Sequence, residues 1–147
     1  MSDEHLVLVG GGHSHALMLR RWCMQPRLKP KGLITLISRN STTIYSGMVP
    51  GLIAGYYTID DVLIDLRVLT DQAGISFVLS EVIGLNVKKK CIYLEDRPPI
   101  YYERLSLDVG SETLKERKYV QDNRTSIEVP IKPLLLALKW IKEQDKE

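Results

Sequence analysis

Apolar residues first fall in a tight block, "HLVLV" from His5 to Val9, and then spread out after a run of glycines. The block is short and almost wholly apolar, which predicts a central parallel strand covered on both faces. From Ser14 to about Gln25 the apolar positions Ala16, Leu19 and Cys23 recur at helical spacing, flanked by Leu17, Met18 and Trp22, and Pro26 stops the run. "GLITLIS", Gly32 to Ser38, predicts a second buried strand. Together these pieces make a β-α-β unit whose crossover is long enough for parallel pairing, with a right-handed connection expected.

The pattern then loosens. Asn40 to Tyr57 carries Gly47, Pro50, Gly51 and Gly55 among apolar residues, which predicts a shaped loop with one short helical turn. Thr58 is placed to cap a helix whose N3 residue is Asp61, with Ile59, Val62, Leu63, Leu66 and Leu69 on its inner stripe and Gly74 beyond its end. After Gly74 the period becomes two: a strand to Ser80, a hairpin-like pair around Asn86 to Lys90, and "RLSLDVGS" as a returning apolar strand. In the tail, Pro133 opens a helix presenting Leu134, Leu138 and Ile141 on one face. The class is therefore α/β.

Composition narrows the function classes. With 147 residues, 44% hydrophobic and a formal charge of +2, the chain suits one domain with a core rather than a disordered or supercharged segment. The basic runs at 20–21, 88–90 and 115–118 lack the interleaved aromatics of a nucleic-acid groove. Cys23 and Cys91 stand alone, without dithiol or metal-ligand spacing. His13 and His15 lie two apart, with His5 on the preceding strand and no carboxylate or cysteine at motif spacing, so no metal site is expected. Asp60, Asp61 and Asp65 read as capping and solvated acids rather than an acid–base pair. The N-terminus, with Asp3 and Glu4 before five strand residues, is neither a signal peptide nor a membrane span, and a cytoplasmic setting is expected.

Chemistry concentrates in the glycines. A sharp turn from a buried strand into a helix leaves backbone N–H groups free at the helix N-terminus, where a phosphate can accept them. Gly10 permits the turn, and Gly12 is expected to let a pyrophosphate approach where a Cβ would obstruct it. At the third position of the motif stands His15, followed by Ala16. Two roles are open to His15: a filler at the strand–helix junction, or a ring turned to phosphate, with His13 as a polar neighbour. The second strand ends in Ser38 and Arg39 where a ribose-binding acid is usual. Serine can hydrogen-bond a ribose, and the pair also suits a 2′-phosphate.

"LVLVGGGHSHALMLRRW", "ITLISRNSTTIYSGMVPGLIAGYY", "IDLRVL" and "LEDRPPIYYERLSLDVGS", in this order, resemble the opening of the FAD-dependent pyridine nucleotide–disulfide oxidoreductase superfamily. More narrowly they resemble the NADH-dehydrogenase-like flavoprotein domain often fused to selenide, water dikinase. The likeness covers roughly residues 5 to 135. It implies a Rossmann-like FAD/NAD(P)-binding fold, a parallel sheet with a β-hairpin or small antiparallel insertion. Gly10 and Gly12 would hold the FAD pyrophosphate, Ser38 the ribose, and Arg39 would lie by the adenosine. Gly47, Met48 and Pro50 would belong to the loop approaching the flavin, and Val82 would meet adenine through its backbone. Asp108 to Ser111, including Gly110, matches a segment that often reads A-T-G, with Asp108 and Val109 in place of alanine and threonine.

The resemblance also implies a division at residue 112: an N-terminal portion of an FAD-binding domain over 1–112, then a linker and helix over 113–147 leading to an NAD(P)H-binding domain that this chain lacks. An incomplete two-dinucleotide-domain enzyme is thus expected, holding FAD weakly or not at all on its own. The activity implied is hydride transfer from NAD(P)H to flavin and onward to a quinone or other acceptor, with a selenide, water dikinase domain as a fused or associated partner and peripheral membrane attachment open for the longer protein. No catalytic residue is assigned, and the flavin-proximal cysteine pair of the disulfide branch is absent from the sequence. A nucleotide-binding module without turnover, or a partner-docking domain, is the alternative.

Overall fold

His5–Val9 forms strand β1, His13–Met24 helix α1 and Leu33–Ser38 strand β2, as the apolar pattern predicts. The computed structural model describes residues 4–110 and, as backbone only, two strands further on. Residues up to Val109 make one compact unit and those from Gly110 a second. β1 and β2 pair in parallel, from His5 opposite Leu33 to Val9 opposite Ile37. Pro26 ends α1, and itself opens a single 3-10 turn, Pro26–Leu28.

The loop after β2 is more ordered than its glycines suggest. It holds strand β3 (Thr42–Ile44), a 3-10 turn at Ser46–Met48 and a short helix α2 (Val49–Ile53). The capping box at Thr58 and Asp61 is present and starts helix α3, Ile59–Val62. The single helix expected from Thr58 to Gly74 is not formed. Leu63–Asp65 is instead strand β4, antiparallel to β3, and a new helix α4 runs over Leu66–Ala73. The cause is tertiary. Tyr45 N–H donates to Val62 O at 2.9 Å and Leu66 N–H to Ser41 O at 2.9 Å, so the preceding loop takes backbone groups that a continuous helix would have used.

Helix α4 is closed at both ends. Asp65 accepts from the N–H groups of Arg67 and Val68 at 2.9 and 3.2 Å, a cap that contributes about 1 kcal/mol. At the other end Gly74 turns left-handed at φ +63°, and Lys29 Nζ donates to the carbonyls of Ala73 and Gly74.

Ser76–Leu79 is β5, Val82–Asn86 β6, Cys91–Leu94 β7, Ile100–Tyr101 β8 and Arg104–Leu107 β9. A parallel sheet of order β5-β2-β1-β9 forms the centre, and β6-β7-β8 is a separate antiparallel sheet, the expected insertion. Alternate residues of the central strands serve opposite layers. Leu8, Ile34 and Leu36 pack with Leu19 and Trp22 of α1 and Leu66 and Ala73 of α4. Val7, Val9 and Ile37 face Ile92, Leu94 and Tyr102. Cover on both faces is why β1 and β2 read as unbroken apolar runs.

The second unit contains a two-stranded antiparallel sheet, β10 (Arg117–Gln121) and β11 (Arg124–Glu128), within the stretch read as a linker. The helix expected from Pro133 lies outside the described residues.

One titration follows from the end of β5. The buried Ser80 hydroxyl donates to Asp96 Oδ1 at 2.5 Å, and Arg97 Nε lies 3.3 Å from the same oxygen. The Ser80 hydrogen bond, then Arg97, hold the exposed Asp96 carboxyl below the usual aspartate range. The stability this contributes is present above the unfolded-state pKa and is lost as pH falls through the folded one. In Ser80→Ala, Asp96 is expected to titrate closer to the ordinary range, read from its carboxyl carbon shift against pH; an unmoved midpoint would overturn the assignment.

Candidate functional site

Three strand ends meet at the carboxyl edge of the central sheet, and the chain leaves β1 there through Gly10, Gly11 and Gly12. Gly10 N–H donates to Ile37 O at 2.8 Å, Asp108 N–H to Val9 O at 2.8 Å, and Gly12 N–H to Asp108 O at 3.2 Å. The turn is therefore stitched to β2 on one side and to the end of β9 on the other. Gly10 sits at φ +97°, a conformation that L side chains rarely adopt, and a Cβ there would overlap the Asp108 carbonyl. Among the described residues, the N–H groups of Gly11, His13 and Ser14 donate to no protein acceptor. Three donors at the start of a twelve-residue helix, whose dipole adds partial positive charge, form a cradle for an anion.

The space over Gly12 holds a group that sequence did not suggest. In this structure the space is taken by the protein's own side chain: a Cβ on Gly12 would stand inside the Asp108 carboxylate. Asp108 Oδ2 accepts the His15 N–H at 2.9 Å. Gly12 is the N-cap of α1 and has no side chain to offer, and the first turn holds no acid, so a carboxylate 93 residues away in sequence performs the capping.

His15 is also fixed by the structure. Its ring is buried, with Nδ1 at 2.8 Å from Gly10 O and Nε2 at 2.8 Å from Ser106 Oγ. A carbonyl only accepts, so Nδ1 carries a proton, and in the tautomer this fixes, Nε2 accepts from the Ser106 hydroxyl. Both ring nitrogens are spent on the protein's own groups. Of the two roles open from sequence, these hydrogen bonds support the junction filler: the ring ties α1 to β1 and β9.

His13 is exposed and stacks on Tyr45, ring centroids 4.9 Å apart at 15°. A Cβ on Gly47 would lie 3.3 Å from the same Tyr45 ring. The stack brings the middle loop, with Gly47 and Met48 in its 3-10 turn and Pro50 in the first turn of α2, to the mouth of the glycine turn. Ser38 is buried at the end of β2, its hydroxyl accepting from Asn40 N–H at 3.3 Å and lying 3.2 Å from where a Gly11 Cβ would stand. Arg39 follows on the exposed surface. Val82 pairs with Leu94 and packs against the second core cluster, two residues after Ser80, whose N–H donates to Ser38 O at 3.0 Å. Gly110 begins the second unit at φ +74°.

Sequence reasoning missed Tyr45, Ser106 and the capping role of Asp108. For Ser106 a signal existed. Leu105 packs toward the antiparallel sheet, so period two turns Ser106 to the face that α1 covers. Among the described residues no group of three or more His, Cys, Asp or Glu side chains is placed to hold a metal, Cys23 and Cys91 are free thiols, and no helix is long and apolar enough to cross a membrane.

No family model and no curated protein matches the sequence. Solved structures do. The sulfide:quinone oxidoreductase of the hyperthermophilic bacterium Aquifex aeolicus is similar with a TM-score of 0.62 and 22% identity, over 76% of this chain and 25% of that one. Reduced CoADR-RHD of Bacillus anthracis gives 0.60 and 21%, over 83% and 22%. NDH2 of Plasmodium falciparum in complex with NADH gives 0.60 and 17%, over 77% and 23%. The chain thus spans about a quarter of the length of these structures. At such identities the likeness establishes the fold, a Rossmann-like FAD/NAD(P)-binding fold with mixed parallel and antiparallel sheets.

Proposed function

We propose that this chain supplies the pyrophosphate- and adenosine-binding part of an FAD-dependent NAD(P)H oxidoreductase. The observation that carries the reading is the cradle of Gly11, His13 and Ser14 N–H groups at the end of β1, on the carboxyl edge of a parallel sheet, where this class of fold receives its ligands. When bound, FAD supplies the two-electron relay between NAD(P)H and a quinone or other acceptor. The chain's own residues bind and orient. Gly10 and Gly12 shape the turn under the pyrophosphate, Ser38 faces the ribose, and Arg39 and the Val82 backbone serve the adenosine. His13 and Tyr45 close the mouth from the side of Gly47, Met48 and Pro50, and Asp108 follows β9 at the turn's other flank. A selenide, water dikinase, fused or associated, is the partner that the sequence resemblance adds, and peripheral membrane attachment belongs to the same reading.

Titration calorimetry with ADP and with FAD tests this on the chain as it stands. Gly12→Val is expected to weaken both ligands by about tenfold or more, because a branched side chain enters the turn. The variant should stay folded, since the obstacle it meets is the Asp108 side chain, which can rotate, rather than backbone. Equal affinities in a folded variant would remove the cradle from the reading.

A further inference from the structure

We infer that Asp108 is a built-in counter-anion, a carboxylate that occupies the capping position of α1 and thereby lowers the affinity of the glycine turn for a dinucleotide. The inference rests on the proposed role of that turn as a pyrophosphate site. Two independent features place the acid there. Its Oδ2 accepts the His15 N–H at 2.9 Å, and its carboxyl fills the space over the Cα of Gly12. Its backbone is held from both sides, with its N–H on Val9 O and its carbonyl accepting from Gly12 N–H. The residue therefore cannot leave with a loop; only its side chain can turn away.

The consequence is electrostatic. A helix N-terminus attracts an anion through its orphan N–H groups and the macrodipole, an effect confined to the first turn. Asp108 already satisfies one of those groups and neutralises part of that partial charge. A pyrophosphate arriving at Gly11, His13 and Ser14 would meet a like charge in the same turn, and either tolerates it or drives the side chain out. Both routes cost affinity. The arrangement also explains how a turn with a glycine N-cap and no acid in its first helical turn is held closed without ligand: the protein carries its own anion.

Asp108→Asn separates the charge from the cap, because the amide keeps the size and an oxygen for the His15 N–H. Calorimetric titration of the wild-type chain and the variant with ADP and FAD is expected to show the variant binding about fivefold to tenfold more tightly, with the gap narrowing in high salt. Asp108→Ala, which removes charge and cap together, is expected to move affinity in the same direction at some loss of thermal stability, and it decides the matter should the asparagine variant not fold. If wild type and variants bind equally while Gly12→Val binds worse, the turn is a dinucleotide site and the counter-anion role is overturned. If neither wild type nor the charge-free variants bind ADP or FAD, both this inference and the pyrophosphate reading fail.

Discussion

Gly10→Ala is expected to lower unfolding free energy by about 3 kcal/mol or more, enough to remove much of the roughly 5–15 kcal/mol that holds a domain of this kind together. Two penalties coincide. A side chain at φ +97° is strained whatever space surrounds it, and here the space is already taken by the Asp108 carbonyl. That carbonyl is main chain, held by the Gly12 N–H, and the adjoining Asp108 N–H is bonded to Val9 O. To admit a methyl group, the ends of β1 and β9 must part, and the seam of the central sheet opens with them. Urea denaturation followed by circular dichroism measures the loss; a midpoint within experimental error of wild type would show that the turn is soft and that Gly10 is not what joins these strands.

The second large effect is expected at His15. Restoring the glycine usual at this motif position looks harmless from sequence, since it would permit close approach of helix and strand. The structure reverses that expectation. In His15→Gly the Gly10 carbonyl and the Ser106 hydroxyl lose their buried partner, at about 1–3 kcal/mol for each group left unsatisfied. Glycine within the first turn adds up to about 1 kcal/mol of backbone entropy, and the vacated ring volume adds a cavity. A total of about 3–5 kcal/mol is expected by the same denaturation measurement. Affinity for ADP per folded molecule is expected to stay within about twofold, because neither ring nitrogen is available to a phosphate. A stable variant with weakened ADP binding would return His15 to the ligand.

The fold was legible where one residue's environment depended on its near neighbours. The buried runs of β1 and β2, the helical spacing of α1 and the capping box at Thr58 and Asp61 all rest on local periodicity or local hydrogen bonding. The break at Leu63–Asp65 was not legible. Its apolar stripe is compatible with helix, and only pairing with Thr42–Ile44 overrides it. Asp65 before "LRVL" was the one local hint, a second cap inside an expected helix.

By itself, then, the sequence determined that a strand would break at Gly10 to Gly12 and resume as a helix, because a glycine-rich turn between two periodic segments has few other solutions. What fills the turn was decided by tertiary structure alone. Asp108 and Ser106 come within reach of α1 only because β9 adds to β1 as a parallel neighbour, setting Leu107 opposite Val9 and bringing residues more than ninety positions apart onto one edge. Strand pairing of that range leaves no periodic trace, since either partner would read the same beside any other strand. That is why a histidine open to either of two roles became a buried tie between three elements, and why an acid just past a returning strand became the cap of the first helix.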